Sequence, residues 1–592
     1  MKASHDSPYI LIDFADDHDQ VQRKVFTNPL DVLCARRVDE VRPVLKQVQK
    51  AVDQGYYAVG YVSYEAASAF DPAFSVHANP VLPLAWFGIF SDYDTEWNIP
   101  EGDYMIGDWV PTISEEEYRQ GIRTILDAIA RGDTYQVNYT MRLRSRFSGD
   151  PQAFYKRLCA AQQARYTAMI HLGEFSILSA SPELFFAKRD GLIITRPMKG
   201  TVRRGRWLEE DEKRACWLQQ SVKNRAENVM ITDLLRNDLG LIAETGTVKV
   251  PKLFEIEKYY TLFQMTSTVT AVPKTGTTFE KLFEALFPCG SITGAPKVST
   301  MNLIHQLEPS PREVYCGSIG MIAPDGSATF NVAIRTVWID HRNGQAEYGV
   351  GGGITWESDA ADEYEEAKTK ALLLTEMRPE FQLLESILLE NGTYFLLEEH
   401  MKRMESSAKY FDFPFDRSEM VERLEKHAAQ HPHGMRKVRV LLARTGEITV
   451  ESDAIRNPDT PIHVVLAENP VPSSDRFLYH KTTHREIYNS FFRRKGDAFD
   501  VLLWNEKGEI TEFTMGNIVV EIEGQLYTPP RECGLLAGTF RNDLLKKGAV
   551  MERIIRVEDL DKAEQVWFIN SVRKWLPVRI KHQLSLSEPT VV

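Results

Sequence analysis

Alternating and 3.6-periodic apolar positions divide the first two thirds of the chain into short strands and helices. "YYAVGYVSYEAA" (56–67) reads as a strand running into the start of a helix. "TISEEEYRQGIRTILDAIARGDTYQVNYTMRLRSRF" (112–147) predicts a helix and then a strand, with Thr112 or Ser114 as cap and acids in the first turn. "FSILSASPELFFAKRDGLIITRP" (175–197) predicts two strands around the "KRDG" turn. A long helix is expected from about Leu208 to Leu235, and strands return in 247–272. Residues 276–308 give helix, Gly-rich turn and helix. Residues 315–358 give strands joined by Asp-Gly and Asn-Gly turns. A further helix, 360–380, stops near Pro379.

After Pro379 the pattern restarts. A strand, a turn at Asn391-Gly392 and a second strand precede a helix in "EEHMKRMESSAKYF" (398–411). Strands follow in 500–529, and a helix in "AGTFRNDLLKKG" (537–548). We place the domain boundary at this break: 1–378, with 1–110 as an N-terminal subregion and 111–378 as the catalytic core, and then 381–592. With 592 residues, two to four domains are expected. There is no tandem repeat and no low-complexity block.

Composition narrows the class only slightly. With 43% hydrophobic and 26% charged residues the chain can bury large cores. A net charge of −13 favours solubility and gives no support for nucleic-acid binding. The six cysteines (Cys34, Cys159, Cys216, Cys289, Cys316, Cys533) form no CxxC pair, which argues against a thiolate zinc site or a disulfide scaffold. The first twenty residues carry acids where a secretory leader would be apolar, and no run reaches about 18 apolar residues. The expectation is a cytoplasmic protein with no membrane span.

Candidate chemistry begins at "RPMKGTVRRG" (196–205). Lys199 on its own reads as an exposed lysine beside a turn. Its neighbours alter that reading: "GDTYQVNYT" (132–140), "SASPELFF" (179–186), "RAENVMITDLLRNDLG" (225–240), "FPCGSITGAPKVSTM" (287–301), "YCGSIG" (315–320), "NVAIRT" (331–336) and "GVGGGITWESDAADEYEEAKTKA" (349–371). In this order the segments resemble the chorismate-utilising enzymes over roughly 110–378. The resemblance implies an α+β fold, an antiparallel αβ sandwich, holding chorismate with Mg2+. Glu227 and Glu366 correspond to the magnesium carboxylates, with Glu363 acting through water. Independently, Glu363 and Glu366 are three apart on one helix face, and crowded carboxylates suit a hard cation, although a solvated acidic face has the same spacing. Asn224 stands where some relatives carry another acid.

The same resemblance makes Glu183 the acid for the departing C4 hydroxyl. It makes Arg335 and Tyr315 partners of the ring carboxylate. Gly351, Gly352 and Gly353 would offer backbone N–H groups, and Thr293, Gly294 and Lys297 would shape the pocket. Gln264 stands where many relatives have histidine, so it donates a hydrogen bond but relays no proton. A lysine at position 199 resembles the aminodeoxychorismate synthases, in which it attacks C2 of chorismate and so directs nitrogen to C4. Anthranilate-forming relatives typically carry alanine there. No Gly-x-Cys-x-Gly turn of a glutaminase is present, so the resemblance implies a glutamine amidotransferase subunit, or free ammonia, as nitrogen source.

Residues 381–592 resemble the class IV aminotransferase group of pyridoxal 5'-phosphate enzymes, a two-subdomain fold like that of D-amino acid aminotransferase. The resemblance assigns Arg403 to the phosphate, Lys481 to the cofactor aldehyde, Glu512 to the pyridine nitrogen, Gly538 and Thr539 to a phosphate-binding helix start, and Asn517, Asn570 and Ser571 to the same site. Class IV holds aminotransferases and aminodeoxychorismate lyases. Beside the first site, a lyase releasing pyruvate and 4-aminobenzoate is the expectation, with a possible homodimer through this domain. The alternatives are an anthranilate synthase fused to an aminotransferase, a D- or branched-chain aminotransferase as second domain, and a degenerate binding module.

Overall fold

The computed structural model describes residues 8–581 except 17–19, 97–101, 163, 376–378, 456–457 and 459–460. The segment before Pro379, where the sequence ends its helix, thus lies partly outside the described residues; the helix itself spans Ala360–Ala371. The chain forms two compact units. One holds residues up to 203 together with 215–378. The other holds 204–214 together with the chain from Pro379 on.

The first unit is built on two ten-stranded sheets. In one, the long strand Gln136–Gly149 pairs antiparallel with Gln345–Ile354, in register from Val137–Ile354 to Arg146–Gln345. In the other, Met198–Arg203 pairs antiparallel with Leu262–Ala271. The strand Tyr9–Ala15 is buried throughout. Leu11 faces one apolar cluster while Ile10 and Ile12 face another shared with Val59 and Tyr61 of the opposite sheet. Burial on both faces makes its sequence apolar except at Asp13, which pairs with Arg23.

Ser114 caps the helix Glu115–Arg131 in a capping box with Glu117. The single helix expected over 208–235 is two, Leu208–Gln220 and Val222–Ile242. Ser221 causes the break, because its side chain caps the second helix by accepting from the Asn224 N–H. The two strands expected in 175–197 are three. Leu184–Arg189 and Leu192–Arg196 form the hairpin over Asp190-Gly191, while Phe175–Ser181 belongs to the other sheet.

The second unit combines a four-stranded antiparallel sheet with an eight-stranded mixed sheet. Leu383–Glu390 and Met435–Leu442 are central to the first. In the second, Ile462–Leu466 pairs in parallel with both Asp500–Trp504 and Lys574–Lys581. Trp207 and Leu208 contribute to this unit's apolar clusters, beside Tyr479 and Phe411 respectively.

Candidate active sites

A polar cavity of about 360 Å3 opens in the first unit. Its wall carries Lys199, Glu183, Glu227, Gln264, Tyr315, Arg335, Gly351, Gly352, Gly353, Glu363 and Glu366. Lys199 sits at a β-bulge, where the register with Leu262–Ala271 shifts between Met198 and Thr201. Bulges re-aim a side chain, and here the left-handed Gly200 makes the turn (φ 94°). Two amides hold the bulge. Gln264 donates to the Gly200 carbonyl at 3.0 Å and accepts from the Thr201 hydroxyl at 3.0 Å. Asn228 donates to the Lys199 carbonyl at 3.3 Å and to the Met265 carbonyl at 3.4 Å. Gln264 therefore spends both ends of its amide on the bulge itself.

The Lys199 amine ends over Gly353. Burial lowers its pKa, while Glu227 and Glu183 act the other way. Glu183, 3% exposed, has its carboxyl pushed up to about 7 by burial, against a hydrogen bond from Ser291 and the nearby Lys199. Its Oε1 has no partner among the described residues. A buried carboxyl that is part protonated near neutrality can donate a proton. Arg335 takes a left-handed backbone (φ 53°), donates to the Gln162 side chain, and has its pKa lowered by burial. The Tyr315 ring lies on Gly349, where a Cβ would approach within 2.1 Å.

Glu227, Glu363 and Glu366 share this wall with Glu183, but the three do not close on a point. Glu366 is 2.8 Å from Lys370, which lowers its pKa, and Glu363 accepts from the Ser358 hydroxyl at 2.7 Å. Glu227 and Glu363 are pushed up mainly by burial, with Glu366 adding to both. Hard oxygen donors under like-charge repulsion suit a divalent cation. Among the described residues, however, no group of three His, Cys, Asp or Glu side chains converges to hold a metal.

Thr293, Gly294 and Lys297 are not in the cavity wall. The Thr293 hydroxyl donates to the Cys289 carbonyl, Gly294 lies where a Cβ would meet the Gln136 carbonyl at 1.9 Å, and Lys297 pairs with Asp238 at 3.0 Å. These residues brace the turn. Sequence reasoning missed Lys370, Asn228 and Gln136. The Gln136 amide is buried, has neither atom partnered among the described residues, and points toward Gly353. A glutamine inside a predicted strand gives no sequence signal of this.

In the second unit a cavity of about 490 Å3 gathers Arg403, Lys481, Glu512, Asn517, Gly538, Thr539, Asn570 and Ser571 in one wall. Burial, with Arg485 and Arg403 adding, lowers the Lys481 amine to about 7. Burial raises Glu512 to about 7, opposed by the Tyr488 hydroxyl at 2.7 Å and the Leu536 N–H at 3.0 Å. Asn517 donates to the other Glu512 oxygen at 3.1 Å and to the Leu536 carbonyl at 2.8 Å. Gly538 caps the helix Thr539–Lys546, and a Cβ there would stand 2.0 Å from the Asn517 side-chain oxygen, so a larger residue must displace that amide.

Arg403 grips Glu385 with two bonds, 2.8 and 2.6 Å. Glu385 also holds His400 at 2.6 Å, and His400 reaches Thr539 at 3.2 Å. Against burial, the Arg403 guanidinium and the His400 ring bring Glu385 down to about 2. Much of the Arg403 fork is thus committed to fixing the helix start. The Glu385–His400 pair had no motif to announce it.

Residues 96–376 match the chorismate binding enzyme family, and residues 382–580 match amino-transferase class IV. The chain joins a chorismate-binding domain to a class IV domain. Aminodeoxychorismate synthase component 1 of Escherichia coli is 40% identical over 272 residues, 46% of this chain and 60% of the relative. The Bacillus subtilis protein of that name is 38% identical over 268 residues, 45% and 57% respectively. Anthranilate synthase component 1 of Aquifex aeolicus is 34% identical over 277 residues, 47% and 56%. The chain thus spans under two thirds of the length of these relatives. The crystal structure of anthranilate synthase component I from Streptococcus pneumoniae aligns at a TM-score of 0.50 and 24% identity, covering 64% of this chain and 94% of its own. At that identity it shows the fold. No helix among the described residues is long and apolar enough to cross a membrane.

Proposed function

We propose that the two domains carry out successive steps from chorismate to 4-aminobenzoate. The observation that carries this reading is the Lys199 amine, pKa lowered by burial, turned by its bulge over Gly353 in the same cavity as Glu183. Its neutral form attacks C2 of the ring while the C4 hydroxyl departs with a proton from Glu183. Ammonia then bonds to C4, and the C2–nitrogen bond to Lys199 breaks, giving 4-amino-4-deoxychorismate. Arg335 faces the ring carboxylate. Glu227 and Glu366, with Glu363, are the side chains that would take a Mg2+ ion. When bound, it would offset negative charge on the substrate. Ammonia comes from a glutamine amidotransferase partner or from solution. The resemblance of 40% to aminodeoxychorismate synthase component 1 supports this reading over the anthranilate one.

In the second site Lys481, Glu512 and the Gly538-Thr539 helix start suit pyridoxal 5'-phosphate, which when bound withdraws electrons from the substrate carbon. Lys481 takes the α-proton and returns one to the departing pyruvyl carbon. Glu512 faces the pyridine nitrogen, and the cradle at Gly538 orients the phosphate. The products are pyruvate and 4-aminobenzoate, and the chain acts as a homodimer through this domain. Incubating the chain with chorismate, ammonium, Mg2+ and cofactor tests the reading, which requires both products in equal amounts. Transamination of D-alanine without pyruvate release from 4-amino-4-deoxychorismate would favour an aminotransferase second domain.

A further inference from the structure

Residues 204–214 belong to the second unit although the sequence on either side of them belongs to the first. Their attachment is dense. Arg204 is buried, clamps both oxygens of Asp211 at 2.7 and 2.9 Å, and donates to the Tyr410 carbonyl at 2.9 Å. The Tyr410 hydroxyl donates to the Gly205 carbonyl at 2.6 Å. Arg206 donates to the Tyr479 hydroxyl at 2.8 Å, and the Trp207 ring lies 5.0 Å from that of Tyr479. Arg531 covers Trp207 at 4.7 Å.

One contact reaches the site. His480 Nε2 is 3.1 Å from the Arg206 carbonyl. A carbonyl only accepts, so Nε2 carries the proton, and Nδ1 is left to accept from the Ser407 hydroxyl at 2.9 Å. The imidazole is 4% exposed, packed by Tyr410 at 4.4 Å and Phe411 at 4.7 Å. Burial holds it neutral, with a pKa near 3. The next residue is Lys481. Its carbonyl accepts from the Leu384 N–H at 2.9 Å, and the Thr483 N–H bonds the Gln382 carbonyl at 2.9 Å. The backbone at Lys481 is therefore held by Gln382 and Leu384, at the start of the strand Leu383–Glu390, and by residues 204–214 through His480.

We propose that residues 204–214 form a positioning strap for the second site, in which the Arg206 carbonyl, acting through His480, fixes where Lys481 presents its amine. This rests on the reading of Lys481 as the lysine that bonds the cofactor. It follows that the functional second unit does not begin at 381. A chain cut there lacks one of the two supports of its own lysine.

The test uses the full-length chain. His480→Phe removes the ring N–H, His480→Gln keeps a donor, and Gly205→Ala acts from the strap side, since its Cβ would stand 2.2 Å from the Asp211 nitrogen. Hydrogen exchange in the cofactor-free protein reads the Leu384 and Thr483 amides. We expect exchange on the order of tenfold faster in His480→Phe and Gly205→Ala, with His480→Gln near the parent. With pyridoxal 5'-phosphate added, the pH midpoint of its absorbance should shift in the first two variants and not in the third. Parent-like exchange at Leu384 and Thr483 in both disruptive variants would overturn the strap. Borohydride reduction that fixes the cofactor on a lysine other than Lys481 in the parent would instead overturn the reading of the site, and with it the strap's role in presenting that amine.

Discussion

The Lys199 amine lies against Gly353: a Cβ on that glycine would stand 2.8 Å from Nζ and 2.6 Å from the Gln136 side-chain nitrogen. The glycine is there to leave room for two polar tips, one of them the proposed nucleophile. Gly353→Ala should displace the lysine tip. Both contacts are ends of flexible side chains, so the stability cost should stay within about 1–2 kcal/mol. Amination of chorismate should fall at least about tenfold, because a misplacement of roughly 1 Å costs far more in rate than in stability. Steady-state kinetics beside a thermal melt separate the two effects.

The bulge that aims Lys199 depends on Asn228, which is fully buried and bonds two backbone carbonyls across it. Asn228→Ala leaves both carbonyls without that donor and should cost about 1–3 kcal/mol, read as a lower denaturant midpoint. The surviving enzyme should lose kcat more than it raises KM, since the lysine's position matters most in the transition state.

Glu183 gives a pH dependence with a definite sign. Its folded pKa, about 7, lies above the ordinary 4.5, so the folded state holds the proton more tightly than the unfolded one. Its contribution to stability is whole below about pH 4.5 and is lost as pH rises through about 7, a total of about 3 kcal/mol. Glu183→Gln should flatten that slope and be the more stable protein at pH 8, while amination collapses. Denaturant titrations at pH 5 and pH 8 check the first, and the alkaline limb of the rate profile checks the second.

The candidate residues that the sequence singled out sit on contiguous motifs. Lys199 in its Pro-Met-Lys-Gly run, Glu363 and Glu366 on one helix face, and Lys481 and Glu512 each fall within a short recognisable stretch, and each lines a cavity. What it missed acts through tertiary contact. Asn228 holds a bulge that only strand register creates, and the Glu385–His400–Thr539 chain joins residues more than 130 positions apart. The helix break at Ser221 was hidden because helical propensity runs through it and only the capping geometry reveals it. Residues 204–214 carry no composition shift, so their membership of the second unit was not legible.

The carboxylates of the first site make a prediction about metal. If Glu227 and Glu366 hold Mg2+, chelation should abolish amination and added Mg2+ should restore it. Glu227→Gln should raise the Mg2+ concentration needed for half-activity by about tenfold or more. Metal-independent amination in the parent would assign these carboxylates a different task.

The most direct measurement is the aromatic product made by the full chain from chorismate, ammonium and Mg2+ with pyridoxal 5'-phosphate, compared with its Lys199→Ala variant by chromatography against both aminobenzoate standards. The account predicts 4-aminobenzoate from the parent and its near-complete loss in Lys199→Ala. A parent that yields 2-aminobenzoate, or a variant that still makes the 4-isomer at the parental rate, would contradict it.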